Sequence, residues 1–181
     1  MLKGKKRFVK SFHSVDPTDA QAIRKAGIVP KKIIRGKPVR TSFYNFLDRW
    51  RPKTIRFRIS DCTFFYFDRQ YAERDNRGEM FEAEIDSKKA FVVDCNLTSV
   101  AIIHFSRRET GAREKRKAEY AAKVYWKSCI PMEYFLKYYE SDGDHWYKKK
   151  FAPEQGPNFI DIAEVVCPHP VRNIHKVKAN S

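Results

Sequence analysis

The chain has 181 residues, of which 42% are hydrophobic and 33% are charged, and its formal net charge is +15. That length suffices for one continuous core, and 14 Phe, 9 Tyr and 3 Trp exclude a disordered chain. No run approaches the roughly 20 apolar residues of a membrane span, and the basic start, residues 1–10, lacks the apolar stretch of a signal peptide. We therefore expect a single domain over residues 1–181, cytoplasmic and without membrane association.

Positive charge is concentrated at the beginning of the chain. Residues 1–60, called the basic segment below, hold 17 Lys and Arg against 3 Asp and Glu, whereas residues 61–181 hold 20 against 19. Clustered cations attract polyanions and speed their encounter. The basic segment therefore favours nucleic acid as a partner; the alternatives are a solvated surface, or affinity for acidic lipid or an acidic protein.

The four cysteines, at positions 62, 95, 129 and 167, lie more than thirty residues apart. This spacing argues against a zinc knuckle, and a disulfide framework would be unusual in a domain of this size. The histidines show no metal-ligand spacing with a carboxylate or cysteine. We therefore expect reduced thiols and no metal.

Elements taken in chain order are short and mixed. Asp16, Pro17 and Asp19 are typical of a helix start with a capping box, and Gly27 fits the helix end. Strands are predicted at residues 7–13, 64–67, 80–85, 90–93, 159–166 and 171–177. Helices are predicted at 17–26, 42–50, 113–126 and 131–139, with a helical turn at 71–74, a turn at 141–144, and either state at 100–105. Because strands and helices do not alternate strictly, we expect an α+β fold with antiparallel strand pairs.

Several weak motifs occur in an informative order. His13 closes the first strand, and the helix after it ends in Gly-Ile-Val-Pro at 27–30. An aromatic strand then precedes Tyr71 and Ala72, and a late strand carries Glu164. This order resembles the ADP-ribosyltransferase superfamily, and within it the chain is most similar to the DarT-type toxins that modify DNA bases and to related enzymes that modify RNA.

The resemblance covers most of residues 8–177. It includes Phe-Tyr-Phe at 65–67, Phe-Val-Val-Asp at 91–94, Asp-His-Trp at 144–146, and Ala-Glu-Val-Val at 163–166 with Pro168 beyond. It implies an ADP-ribosyltransferase-like split antiparallel sheet with a few flanking helices. It also implies NAD as the donor substrate, a monomer, and an antitoxin or an ADP-ribosyl hydrolase as a partner.

The chemistry of transfer suggests roles for two of these residues. Breaking the bond from nicotinamide to ribose develops oxocarbenium character, as in glycoside hydrolysis. A carboxylate can stabilise that charge and take a proton from the acceptor, and Glu164 is the candidate. His13 is predicted to hold NAD by hydrogen bonds to a ribose. The alternatives are an exposed Glu near a strand end and a core histidine.

Further candidates are aromatic or basic. Tyr66 and Tyr71 are predicted to line the nicotinamide pocket, where a ring can stack on a pyridinium. Arg51 is assigned to the catalytic set and Arg49 to NAD binding, because a guanidinium pairs bidentately with phosphate. The alternatives are core packing for the aromatics and surface charge for the arginines.

Ile162 departs from one branch of the superfamily. Arginine-specific protein ADP-ribosyltransferases carry Glu or Gln two residues before the catalytic Glu, so arginine modification is not expected. Three alternatives to a nucleic-acid transferase stay open: transfer to a protein, RNA 2′-phosphotransfer, and a non-catalytic module that stacks bases between cations. The transferase prediction requires His13 and Glu164 to meet in one cleft large enough for a dinucleotide.

Overall fold

The computed structural model describes residues 7–29, 38–75 and 78–177, which form ten strands and six α-helices. The strands are β1 (Phe8–Val15), β2 (Thr63–Tyr66), β3 (Glu79–Asp86), β4 (Phe91–Asp94), β5 (Ile130–Pro131), β6 (Tyr139–Ser141), β7 (Trp146–Lys148), β8 (Phe159–Ile160), β9 (Ala163–Cys167) and β10 (Ile174–Lys176). The helices are α1 (Pro17–Ala26), α2 (Pro38–Arg49), α3 (Arg69–Arg74), α4 (Cys95–Arg107), α5 (Ala112–Ser128) and α6 (Met132–Tyr138).

The strands form two antiparallel sheets. The larger has the order β10-β3-β1-β2-β9-β4-β5, and the smaller has the order β6-β7-β8. Helices pack against the larger sheet. Most strands that lie side by side in this sheet are far apart in the sequence. The predicted mixed α and β class with antiparallel pairing is therefore confirmed. Within the described residues no helix combines the length and the apolarity needed to cross a bilayer.

The larger sheet is joined unevenly at its middle. β1 pairs with β3 over eight residue pairs, but β1 meets β2 in register only at Phe12 and Tyr66. On the other side of β2, β9 pairs with both β2 and β4, and all five of its residues are buried. The sheet is thus continuous on both sides of a thin β1–β2 junction.

Alternate strand residues supply two separate apolar clusters, as the two-residue period of a strand requires. Phe65 and Val165 belong to the cluster that α6 completes with Phe135. Val166 and Val93 belong to the cluster that α2, α4 and α5 complete. The sheet therefore has a hydrophobic core on each face, which explains the run of apolar residues in β9.

Several sequence predictions change in detail. The segment 100–105 is helical, within α4. Of the predicted final strand, Ile174–Lys176 pairs with β3, and Val171 forms only an isolated bridge with Ile28. The predicted strand 159–166 is two strands in different sheets, because Asp161 and Ile162 turn the chain between them. The strands β6 and β7 were not predicted, since each has only three residues.

The start and end of α1 agree with prediction, but its cap differs. Asp16 occupies the N-cap position with an extended backbone, yet its side chain makes no capping hydrogen bond. Gly27 ends the helix with φ of 78°, and its N–H donates to the Ile23 carbonyl at 2.8 Å. Directly after it, Ile28 and Val171 exchange two backbone hydrogen bonds of 2.8 Å. This bridge ties the end of α1 to the segment that leads to β10.

We predict that Gly27→Ala destabilises the domain more than Gly143→Ala. Both glycines have positive φ, at 78° and 104°, so each substitution adds backbone strain of about 1–3 kcal/mol. A Cβ at position 27 would also lie 2.5 Å from the Val171 carbonyl oxygen, whereas nothing lies within 4 Å at position 143. Urea unfolding measures the difference. Equal losses of unfolding free energy would contradict the close approach of α1 to Val171.

Candidate active site

A cavity of about 610 Å³ lies beside the thin β1–β2 junction. Its sheet-side lining consists of residues 13–15 of β1, residues 63, 64 and 66 of β2, and Glu164 of β9. His13, Tyr66 and Glu164, which the sequence separates by as much as 151 positions, therefore line one cavity. The three come from three successive strands of the larger sheet.

Two helices enclose the cavity with the same residue spacing. α1 contributes residues 19, 22, 23 and 26, and α4 contributes residues 95, 98, 99 and 102. Positions i, i+3, i+4 and i+7 lie on one face of a helix, so each helix presents a single stripe. The first residues of α4 follow β4 without a loop, and Asp94 accepts a hydrogen bond from the Asn96 N–H at 2.9 Å. The cap fixes the position at which α4 meets the cavity.

Glu164 is held at the centre of the sheet. It lies opposite Tyr66 on β2 and opposite Val93 on β4, and the residue is only 8% exposed. Directly opposed residues of an antiparallel pair project to the same face, which places the Tyr66 ring beside the carboxylate. A carboxylate so placed, at a cavity wall and largely removed from water, interacts strongly with any charge that enters.

His13 has its tautomer set by the backbone. Its Nδ1 lies 2.7 Å from the Phe64 carbonyl oxygen, which can only accept, so Nδ1 carries the proton and donates. In the neutral ring Nε2 is then an acceptor. Because Nδ1 is bonded to the β2 backbone, a hydrogen bond from His13 to a ribose would have to come through Nε2.

Cys95 reports on the electrostatics around Glu164. Burial, followed by the negative charge of Glu164, raises the pKa of the Cys95 thiol to about 12, although the Tyr66 side chain hydrogen-bonds the sulfur. The group is therefore a thiol at neutral pH, which argues against a thiolate nucleophile here. All four cysteines of the chain are free.

The charged groups among the described lining residues are mostly acidic. Asp16, Asp19, Asp75 and Glu164 line the cavity beside His13, and none of the described lining residues is Lys or Arg. Carboxylates at a cavity wall attract a cationic group. Tyr44 and Phe64 add a stacked pair to the wall, with ring centroids 5.4 Å apart and planes inclined by 17°.

Three sequence candidates lie outside the cavity lining. The Tyr71 ring is half-buried and has the Arg74 guanidinium carbon 5.2 Å from its centroid. Arg49 is exposed at the end of α2, and Arg51 donates to the Phe57 carbonyl at 2.6 Å. Arg49 lies five positions after Tyr44 on α2, which places the two residues on different faces of the helix, and Arg51 lies beyond the end of α2.

Other lining residues were not recognised from sequence. The sequence predicts only that Tyr44 lies in a helix, and it predicts only capping roles for Asp16 and Asp19. The i, i+3, i+4, i+7 pattern of α4 could have identified its cavity stripe, but the alternation of Cys, Thr, Ser and Ile along it resembles an ordinary half-buried face. The cations Lys31, Lys32, Arg35 and Lys37 of the basic segment lie outside the described residues.

Comparison with protein-family models, with curated proteins and with solved structures found no match.

We predict that Glu164→Gln increases the alkylation rate of Cys95. Removing the carboxylate charge lowers the pKa of the thiol, which raises the thiolate fraction below pH 12. Iodoacetamide labelling at pH 9, followed by peptide mass spectrometry, measures each cysteine separately. Glu154→Gln, a substitution at an exposed residue, serves as the control and should leave Cys95 unchanged. An unchanged rate in Glu164→Gln would show that the two side chains do not interact.

Proposed function

We propose that the chain is an NAD-dependent mono-ADP-ribosyltransferase, with an ADP-ribosyltransferase-like fold and a nucleic-acid base as acceptor. The observation that carries this proposal is the meeting of His13, Tyr66 and Glu164 in one cavity. Their positions on three neighbouring strands match the order of motifs on which the resemblance rests. The chemistry required for transfer is available from these side chains.

The cavity suits the nicotinamide riboside half of NAD. Its volume of about 610 Å³ falls within the range of roughly 300–1,000 Å³ typical of small-molecule sites. Nicotinamide in NAD is a cationic pyridinium, which the four lining carboxylates attract, and the aromatic wall of Tyr44 and Phe64 offers a flat surface. The diphosphate has no Lys or Arg partner among the described lining residues.

Glu164 is assigned the central chemical role. As the bond between the nicotinamide nitrogen and the ribose carbon breaks, positive charge develops on the ribose and neutral nicotinamide leaves. The carboxylate stabilises this charge, and it accepts the proton that the acceptor nitrogen loses as the new bond to the ribose carbon forms. Its burial on β9, where the residue is 8% exposed, keeps competing water away from one side.

His13 and Tyr66 are assigned positioning roles. Nε2 of His13 accepts a hydrogen bond from a ribose hydroxyl, because Nδ1 already donates to the Phe64 carbonyl. Tyr66 stands directly opposite Glu164 and contacts the Cys95 sulfur, so its ring limits where the pyridinium lies. Holding reactants in one geometry lowers the entropic part of the barrier.

The proposal of a nucleic-acid acceptor depends on the cations of the basic segment that form no ion pair with a described carboxylate. Lys10 pairs with Glu82 at 2.8 Å, Arg7 with Asp86 at 3.3 Å, and Arg24 with Glu79, so β3 neutralises part of the basic segment. Of the cations that are exposed and form no ion pair with another described residue, three lie close together in sequence: Arg49, Lys53 and Arg56. Arg49 ends α2, which lines the cavity through Phe43 and Tyr44, and the other two come soon after it. We assign the binding of the polyanion to this segment.

We predict that Glu164→Gln reduces transfer by about 10²–10⁴-fold, the usual effect of losing a general base, while NAD binding persists. The assay uses labelled NAD with oligonucleotides and, separately, with lysate protein. Glu140→Gln, at an exposed residue of β6, is the matched control. Retained transfer in Glu164→Gln would remove the proposed role of this carboxylate. Label on protein alone would replace the nucleic-acid acceptor by a protein, and label on neither would refute the transferase.

We also predict that oligonucleotide affinity falls steeply with salt, because cations that neutralise phosphates release counterions. The double variant Arg49→Gln, Arg56→Gln should reduce the slope of log affinity against log salt by about two, since each cation contributes about one. Lys88→Gln, Lys89→Gln removes two exposed cations that lie outside the basic segment and should leave the slope unchanged. A flat salt titration of the native chain would contradict a polyanionic acceptor.

A further inference from the structure

A second concave surface lies between α4 and α5. These helices are joined by the short 3₁₀ helix Arg108–Thr110 and pack along each other as a hairpin. Between them lies a groove of about 540 Å³, called the hairpin groove below. Its apolar lining consists of Leu97 and Val100 of α4 with Tyr120, Ala121 and Val124 of α5.

The hairpin groove is apolar yet open to solvent. Val100 is exposed, Tyr120 is 71% exposed, and Ile103, just outside the lining, is exposed as well. A contiguous apolar surface of this kind on a folded domain marks an interaction site more often than isolated exposed residues do. A groove between two helices packed side by side is also a usual receptor for a third, amphipathic helix.

Cations border this groove. Arg113, Arg116 and Lys117, all in the first turns of α5, contribute to its lining. Glu114 neutralises Lys117 through a 2.7 Å ion pair, but Arg116 forms no ion pair or hydrogen bond with any residue in the described ranges. The groove thus combines an aliphatic floor with unneutralised positive charge at one end.

We propose that the hairpin groove binds an acidic amphipathic helix of a partner protein. Its apolar side chains enter between Val100 and Val124, and its carboxylates pair with Arg113 and Arg116. Charge complementarity favours an acidic partner. The aliphatic floor favours protein over nucleic acid, because single-stranded nucleic acid binds on successive aromatic platforms and this groove offers one, Tyr120.

This binding site is independent of the proposed active site. The hairpin groove and the cavity share no lining residue, although α4 contributes to both. Residues 97, 100 and 104 face the groove, whereas residues 95, 98, 99 and 102 face the cavity. Variants in the groove therefore test the partner site without changing a residue assigned to NAD or to transfer.

The test measures fluorescence anisotropy with the full chain and a labelled acidic helical peptide, which carries Leu at i, i+3, i+4 and i+7 and Glu elsewhere. We expect saturable binding that weakens at least about tenfold in Val100→Asp and in Arg116→Glu, as for central interface residues. Matched controls are Phe151→Asp, an apolar-to-acidic change at a residue that is 91% exposed away from the groove lining, and Lys115→Glu, a charge reversal at an exposed residue of α5 outside the lining. Both should bind within about twofold of the native chain.

Two outcomes would overturn the proposal. One is no saturable binding of the peptide, or equal affinity for all four variants, which would mean that the groove is not its receptor. The other is an oligothymidylate of equal charge that displaces the peptide and loses affinity in Arg116→Glu but not in Val100→Asp, which would identify a phosphate-binding surface instead. Circular dichroism confirms that each variant is folded, and the paired controls separate local from general effects of charge.

Discussion

The antiparallel pairing of β9 with β2 on one side and β4 on the other determines the position of the candidate site. It buries all five residues of β9 and places the one carboxylate among them, Glu164, directly opposite Tyr66. Glu164 is only 8% exposed, and it is the charged residue of an otherwise apolar strand. Glu164 lines the cavity, so a cationic ligand that enters the cavity can approach its carboxylate.

The thin junction between β1 and β2 supplies that space. Where two strands share only one register pair, the sheet can part, and here α1, α2 and α4 close the resulting opening. His13 spans the junction, since its imidazole belongs to β1 and its Nδ1 proton is donated to the β2 carbonyl of Phe64. One hydrogen bond therefore links the orientation of a candidate ligand to the geometry of the sheet. Replacing His13 would alter both the orientation of the ligand and the geometry of the sheet, whereas replacing Glu164 by Gln would alter chiefly the charge of the cavity wall.

The sequence was sufficient to predict the class of fold and to single out three candidate residues that lie on strands. The resemblance in residue order singled out His13, Tyr66 and Glu164, and these three residues line one cavity. Their roles stay predictions. The capping pattern predicted α1 at residues 17–26, as observed. The sequence did not predict the surroundings of Arg51. Its guanidinium donates to a carbonyl six residues away, and no nearby residue indicates that contact. Nor did the sequence predict the three-residue strands of the smaller sheet, which depend on long-range pairing rather than on local pattern. The net charge of the basic segment overstates the number of cations that a polyanion can contact, because three of them form ion pairs with carboxylates of β3.

The central claim is that the cavity bounded by His13, Tyr66 and Glu164 holds the nicotinamide riboside of NAD. The most direct measurement is a crystal structure of the Glu164→Gln variant with NAD, because that variant keeps the shape of the cavity and slows turnover. The expected result places the ribose carbon that bears nicotinamide beside residue 164 and a ribose hydroxyl within hydrogen-bond distance of His13 Nε2. Density for NAD elsewhere on the molecule, or an empty cavity at saturating NAD, would contradict the proposed function.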